Sequence, residues 1–418
     1  MSLLIQNVSL NDRICDIHMD QGIIQSIGND LNVTAERTLD GQGLAALPSF
    51  INTHTHSAMT LFRGYADDIA LFDWLEKKIW PIEAGLTEEA VYWGARLACL
   101  EMIKSGATYM NDMYWHHHGT MKALRDSGIR GTVSAVFLDH MNADNAKEQR
   151  AANEASFLEM KDFHPRVTFG MGPHAIYTVS PESLMWVKEF AAEHQLKIQI
   201  HCSEAEREVN DCLKAHGKRP VHYLNDMGFL GPEVMMVHMI WLDDSEIAVL
   251  QEHDISIAHC PSSNMKISSG ILPYPKLKEA GLNLTIATDG AASNNNLDML
   301  EEMKTAALLQ KVATMNPEML PAEEAFQMGT LNGAKALDLN CGEIKEGAWA
   351  DMILVDLNHV RLVPNHCLIP NLVYSSHASA IHTTICDGQV LMHDGKVDDE
   401  EEVKAEATRM AQMLIDKL

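Results

Sequence analysis

Pro48-Ser49-Phe50-Ile51-Asn52-Thr53-His54-Thr55-His56 is an apolar run of strand length that ends in two histidines spaced two apart. Side chains alternate along a strand with period two, so His54 and His56 project to the same face. The run begins upstream, and its first strand is read as Leu44–Asn52. Seven more of the same kind follow: Ala107–Met113, Gly131–Phe137, Val167–Met171, Lys197–His201, Val234–His238, Ile255–His259 and Leu284–Thr288. Stretches of helical periodicity separate them, such as Glu88–Ser105, Pro181–His194 and Asp243–His253. Eight continuously apolar strands, each followed by a helix, predict an α/β fold of the closed (β/α)8 TIM-type barrel class. An open doubly wound sheet is the alternative, but it would leave two edge strands to protect.

The flanks read differently. Leu3–Val8, Ile14–Met19 and Gly22–Ile27 are short runs separated by turns rich in Asn, Asp and Gly, which is antiparallel patterning. After the barrel, Trp349–Asp356 and Thr383–Val390 read as strands, with Asp387-Gly388 and Asp394-Gly395 as turn dipeptides. Neither end is large enough to make a core alone. The expectation is a composite β-sandwich domain from residues 1–47 and 342–400 beside a barrel over 48–341. An amphipathic helix over 400–418 follows, with Val403, Ala407, Met410, Leu414 and Leu418 on one face.

Composition bounds the partners. The 418 residues carry 32 Lys+Arg against 58 Asp+Glu, a formal net charge of −26. That excludes the basic footprint of a nucleic-acid binder and disfavours an anionic membrane surface, so a small molecule is the expected partner. A hydrophobic fraction of 46% with 22% charged residues is globular composition. No apolar run reaches the roughly 18–20 residues that span a bilayer. The first residues lack the basic region and apolar core of a signal peptide. The eight cysteines are scattered with no C-x-x-C pair, the pattern of reduced thiols in a cytoplasmic protein. Assembly into a homo-oligomer is left open.

Two imidazoles on one strand face suit a borderline metal such as Zn²⁺. An isolated His-x-His is more often a pair of ordinary loop histidines. Position changes the reading, because catalytic groups of such barrels come from the C-terminal strand ends. Here the fourth strand leads into Gly172-Pro173-His174, and the fifth ends in His201-Cys202-Ser203-Glu204. The sixth ends in Val237-His238, the seventh in His259-Cys260-Pro261, and the eighth in Thr288-Asp289-Gly290. Several independent strand ends aiming His or Asp at one mouth have no structural explanation.

The pattern His54-x-His56, His201, His238 and Asp289 resembles the amidohydrolase superfamily over essentially the whole chain. Phe50–His56, Leu61–Asp68, Trp80-Pro81-Ile82-Glu83 and Thr288–Asn295 are similar to its 5′-methylthioadenosine/S-adenosylhomocysteine deaminases and the related 5′-deoxyadenosine deaminases. The resemblance implies zinc-dependent hydrolytic deamination of the adenine of a 5′-modified adenosine, with release of ammonia. A two-metal site of this superfamily needs an anionic bridge from the fourth strand. Met171-Gly172-Pro173-His174 offers neither Lys nor Glu, so one Zn²⁺ per chain is expected on His54, His56, His201 and Asp289.

Asp289 is then expected to take a proton from the attacking water. Glu204 is expected to protonate the ring nitrogen beside the attacked carbon. By resemblance, His238 holds the water or Asp289 in line, Glu83 accepts the ribose hydroxyls, and His174 donates to the purine or the sugar. Ser263 and Asn264 are expected to shape the pocket wall. His116-His117-His118 reads as pocket rim or exposed loop. Some relatives that accept S-adenosylhomocysteine carry arginines after the third strand; Thr132–Asp139 has none, which favours an uncharged 5′ group. The alternatives are a deaminase or chlorohydrolase of another amino-heterocycle (guanine, a pterin, an s-triazine) and a non-catalytic barrel scaffold.

Overall fold

The computed structural model describes residues 2–161 and 163–417. Five strands open the chain: β1 (Ser2–Leu10), β2 (Arg13–Asp20), β3 (Ile23–Gly28), β4 (Arg37–Asp40) and β5 (Leu44–Pro48). Eight more form a parallel sheet in sequence order: β6 (Phe50–Thr55), β7 (Ala107–Tyr114), β8 (Arg130–Phe137), β9 (Val167–Pro173), β10 (Ile198–Cys202), β11 (Val234–His238), β12 (Ser256–His259) and β13 (Asn283–Ile286). The last three, β14 (Met352–Asp356), β15 (Ile381–Cys386) and β16 (Gln389–His393), return to the first group.

The parallel sheet curls into the barrel. Its seam, between β13 and β6, is closed largely by side chains. Thr53 Oγ1 donates to the Ile286 carbonyl, Asn52 Oδ1 accepts from Thr288 N–H at 3.1 Å, and Asp289 N–H donates to the His54 carbonyl at 3.2 Å. These bonds bring the tip after β13 against the tip of β6, which is how Asp289 reaches the two histidines. Ile51, Tyr109, Met235, Val237, Ala258 and Ala287 fill the lower barrel, and a larger apolar layer packs the strands against the helices.

The run read as one strand over Leu44–Asn52 is two strands in two sheets. Leu44–Pro48 pairs antiparallel with β14, whereas Phe50–Thr55 pairs parallel with β7. A continuous apolar run carries no mark of a change of sheet. The expected strand Thr383–Val390 is a hairpin instead: Asp387 and Gly388 have φ of 56° and 71°, the left-handed pair of a type I′ turn.

The side sheet runs β16-β15-β14-β5-β1-β2-β3, with β4 added parallel to β1. It is a single hydrogen-bonded sheet that folds back on itself through a bridge between Ile23 and Trp349. Leu3, Ile5, Ile17, Met19, Met352 and Leu354 fill its inside. The helix Glu400–Ile415 lays Ala407, Met410 and Leu414 against Leu61, Phe62, Ile82 and Leu86 near the barrel mouth. Among the described residues no helix is long and apolar enough to cross a membrane.

Candidate active site

His54, His56 and His201 converge at the mouth of the barrel, with their ligand atoms within 4.8 Å of one another. Each ring is held from behind. His56 Nδ1 donates to the Met113 carbonyl at 2.6 Å, and His201 Nδ1 donates to the His174 carbonyl at 2.8 Å. A carbonyl only accepts, so these two rings carry their proton on Nδ1. His54 Nδ1 lies 2.7 Å from Gln199 Oε1. The amide of Gln199 is oriented by its other end, whose Nε2 faces Asn111 Oδ1, the Asp112 carbonyl and Ser134 Oγ at 2.9–3.0 Å. Gln199 therefore presents an acceptor, and His54 must supply Nδ1–H.

All three Nε2 lone pairs are left facing the centre, with those of His54 and His201 3.2 Å apart. Two lone pairs at that distance repel unless a cation lies between them. Burial and the neighbouring His54 hold the His56 imidazole down to about 4, against the pull of Asp289, and burial holds His201 well below its ordinary value. Neutral rings oriented by acceptors behind them are the donor set a borderline divalent metal requires.

Asp289 completes the cluster. Its Oδ2 accepts from Ser263 Oγ at 2.6 Å and Ser293 Oγ at 3.0 Å. Its Oδ1 is left 3.3 Å from His56 Nε2 and 3.6 Å from His54 Nε2. Burial alone would raise this carboxyl, but contact with His54 and the surrounding imidazoles holds it well below the usual carboxylate range. Ser263 thus does more than shape a wall: it fixes which oxygen of Asp289 faces the centre. Asn264 likewise sets His238, with Nδ2 3.0 Å from its Nδ1.

Glu204 lies beyond β10 with 6% of its surface exposed, its Oε1 3.7 Å from His238 Nε2. Burial, reinforced by Asp289 and Glu208, pushes its carboxyl well above the ordinary value. The tip is rigid because Glu208 accepts the backbone N–H groups of Ser203 and Glu204, both at 2.9 Å.

The cluster floors a cleft lined by Met59, Trp74, Trp80, Glu83, His174 and Glu204. Its wall is a helix in three parts, Leu71–Trp74, a π-turn over Leu75–Ile79, and Trp80–Glu83. Glu83 lines the cleft, its Oε1 accepting from Tyr114 OH at 2.7 Å and its Oε2 from Trp115 Nε1 at 3.3 Å. Burial raises its carboxyl to about 7, against those two hydrogen bonds. His174 also lines the cleft. Its Nδ1 lies 2.8 Å from Thr178 Oγ1, which also reaches the Ala175 carbonyl at 3.2 Å.

Gln199, Tyr114, Trp115 and Ser293 are additions that sequence reasoning missed. The signal for Gln199 was an amide two residues before His201, on the same strand face. Lys147 and Arg150 line a separate surface cleft, and Arg150 is bonded to Ser183 Oγ at 3.3 Å. His116, His117 and His118 line a recess that adjoins the main cleft at Glu83 and Trp80.

Residues 45–391 match the profile of the Amidohydrolase family. The chain is 47% identical over 421 residues to a 5′-deoxyadenosine deaminase of Methanoregula boonei, covering 99% of this chain and 95% of that protein. It is 48% identical to 5-methylthioadenosine/S-adenosylhomocysteine deaminase 1 of Archaeoglobus fulgidus, over 88% of this chain and 87% of that one. The fold superposes with a TM-score of 0.93 on an adenosine deaminase of Xanthomonas campestris crystallised with bound zinc. That protein is 30% identical, and the match covers 99% of this chain and 98% of that one. Barrel, side sheet and strand-tip cluster all fall within a match of that length: the chain belongs to the amidohydrolase family.

Proposed function

We propose that this chain hydrolyses the 6-amino group of 5′-modified adenosines, such as 5′-methylthioadenosine, S-adenosylhomocysteine, adenosine or 5′-deoxyadenosine, giving the inosine analogue and ammonia. The observation that carries the reading is Glu83, a carboxyl group held by Tyr114 and Trp115 in the wall of the cleft that the imidazole cluster floors. A free heterocycle needs no such group; a ribose with vicinal hydroxyls does. The relatives named above support the same substrate class.

One Zn²⁺ per chain, held by His54, His56, His201 and Asp289, fits the donor set and would supply a water acidic enough to react near neutral pH. Asp289, with Oδ2 tied to two serines, takes the water proton on Oδ1 and passes it to the amino nitrogen as the C6–N bond breaks and ammonia leaves. Glu204, kept protonated by burial, gives its proton to ring N1 as C6 is attacked, so that negative charge does not build on the purine. His238, fixed by Asn264, holds the incoming oxygen in line. Glu83 accepts from the ribose 2′ and 3′ hydroxyls, and His174 donates to the purine or the sugar. The free cysteines fit a cytoplasmic setting.

Ammonia release and the change in purine absorbance test the reading across nucleosides and free bases. Turnover of 5′-modified adenosines with little on adenine, guanine or a triazine is expected. Preference for a free base over every nucleoside overturns it. Elemental analysis of active enzyme should give one metal per chain; two tightly held metals would sink the single-ion assignment.

A further inference from the structure

We propose that Glu302, which does not line the cleft, is a positioning residue for the proton transfer at Asp289. It clamps the loops after β12 and β13 to each other, and so keeps the hydroxyls of Ser263 and Ser293 on Asp289 Oδ2. The proposal rests on the reading of Asp289 as the group that takes the water proton.

Glu302 lies in the first turn of the helix Met299–Thr314 and is 0% exposed. A carboxyl taken out of water is costly unless other donors replace the water. Here each loop supplies one. Oε2 accepts from the backbone N–H of Ser262 at 3.1 Å, on the β12 side. That N–H belongs to the first turn of the short helix Pro261–Lys266, where the helix's own ladder offers it no acceptor. Oε1 accepts from Asn294 Nδ2 at 2.9 Å, on the β13 side. Burial raises the carboxyl to about 8 against these bonds.

Each donor is the sequence neighbour of a serine on Asp289: Ser263 follows Ser262, and Ser293 precedes Asn294. Ser263 Oγ lies 2.6 Å and Ser293 Oγ 3.0 Å from Asp289 Oδ2, and the two hydroxyls are 3.0 Å apart. Loops from two different strands must hold one register for both hydroxyls to reach the same oxygen. A competing acceptor is close at hand, since Ser293 Oγ is also 3.2 Å from the Gly290 carbonyl. A hydroxyl has one proton, so a small drift of the β13 loop turns it to Gly290 and Asp289 Oδ2 loses a donor. Oδ2 then competes with Oδ1 for the water proton, and the transfer loses its direction. Asn294 has no such freedom. Its Nδ2 donates both to Glu302 and to the Thr288 carbonyl, the latter at 2.7 Å, which links the clamp to the strand tip that carries Asp289.

Glu302→Gln keeps the shape but offers one acceptor in place of two. Its amide nitrogen must face either the Ser262 N–H or the Asn294 amide, and that arm of the clamp opens. With 5′-deoxyadenosine as substrate, kcat should fall by about 10–10²-fold, the scale of a small misplacement of a reacting group. KM should stay within about threefold, since no contact with the nucleoside is touched. Elemental analysis should show the metal content unchanged. The deciding background is Ser263→Ala with Ser293→Ala, which lacks both hydroxyls. There Glu302→Gln should change kcat by less than about twofold, because residues that act through one group are not additive. The full loss repeated in that background overturns the clamp, since a merely structural role costs kcat with or without the serines. A rise in KM at unchanged kcat, or a loss that added zinc restores, overturns it too. If Glu302→Gln does not fold, Asn294→Ala opens the β13 arm and leaves the carboxyl on Ser262. Its loss of kcat should vanish in Ser293→Ala, and an equal loss there overturns the proposal. A wild-type chain that deaminates no adenosine is a different result: it overturns the aminohydrolase reading, and the role given to Asp289 falls with it.

Discussion

Glu204 is buried beside Asp289 and His238, and its role depends on a proton it can give away. Glu204→Gln keeps the shape and removes the proton. Turnover should fall by about 10²–10⁴-fold, the usual contribution of a general acid–base group, with metal content unchanged; activity within about threefold of wild type would contradict the shuttle. Gln199 acts one step further out, through the ring of His54. Gln199→Leu removes the acceptor that fixes the His54 tautomer, and metal affinity should drop by roughly 10–100-fold. Titration with a competing chelator measures it, and the wild-type affinity in the variant would show that the tautomer needs no such support.

Burial raises the Glu83 carboxyl to about 7. Below that pH its carboxyl carries a proton and accepts the ribose hydroxyls less well. The kcat/KM for nucleosides should therefore fall on the acid side of 7, and Glu83→Gln should lose that limb while starting from a lower plateau. A limb of unchanged midpoint in Glu83→Gln would assign it elsewhere. The histidines and carboxylates of this site were legible in the sequence because a charged or imidazole side chain at a buried strand tip contradicts ordinary core composition. Gln199, Ser263 and Ser293 were not, because small polar residues at strand ends are common and only their partners reveal what they orient.

The strands of the barrel were legible for a related reason. A parallel strand covered on both faces is a continuous apolar run, and eight of them in register with helices leave little freedom. The change of sheet at Ser49 was invisible, since Leu44–Pro48 and Phe50–Thr55 are apolar alike. Equally hidden was the π-turn Leu75–Ile79, which lies in the wall helix that carries Trp74, Trp80 and Glu83 to the cleft. That wall touches the fifth strand's helix through Arg207, whose guanidinium sits 4.1 Å over the Phe72 ring; Phe72 in turn meets Tyr177 at 5.7 Å. An exposed cation–π contact contributes about 0.5–1 kcal/mol. Arg207→Ala should raise KM for nucleosides about two- to fivefold, by letting the wall helix relax, with kcat and metal content little changed. An effect on kcat alone would place Arg207 in the chemistry rather than in the wall.

The two ends of the chain meet in one sheet, as their shared antiparallel patterning suggested. The closure through Ile23 and Trp349 and the parallel addition of β4 could not be read, because long-range register leaves no local trace. One fastening of that sheet to the barrel is a buried cation. Arg130 opens β8, donates to Asp351 at 2.9 Å and Asp387 at 2.6 Å, and lies 4.2 Å over the Trp349 ring. Asp351 is 4% exposed, and burial raises its carboxyl against the pull of Arg130. Removing only the cation leaves that carboxylate buried without its ion pair. Arg130→Met should therefore cost roughly 3–5 kcal/mol, read as a lowered thermal midpoint. Asp351→Asn added to Arg130→Met removes the stranded charge but keeps an oxygen for Asp387 N–H, now 2.7 Å away. The double variant should recover much of the loss, because a buried pair replaced on both sides costs far less than one broken on one side. If instead the double variant is as unstable as Arg130→Met, the contribution of Arg130 lies in its stacking on Trp349 and not in the charge it neutralises.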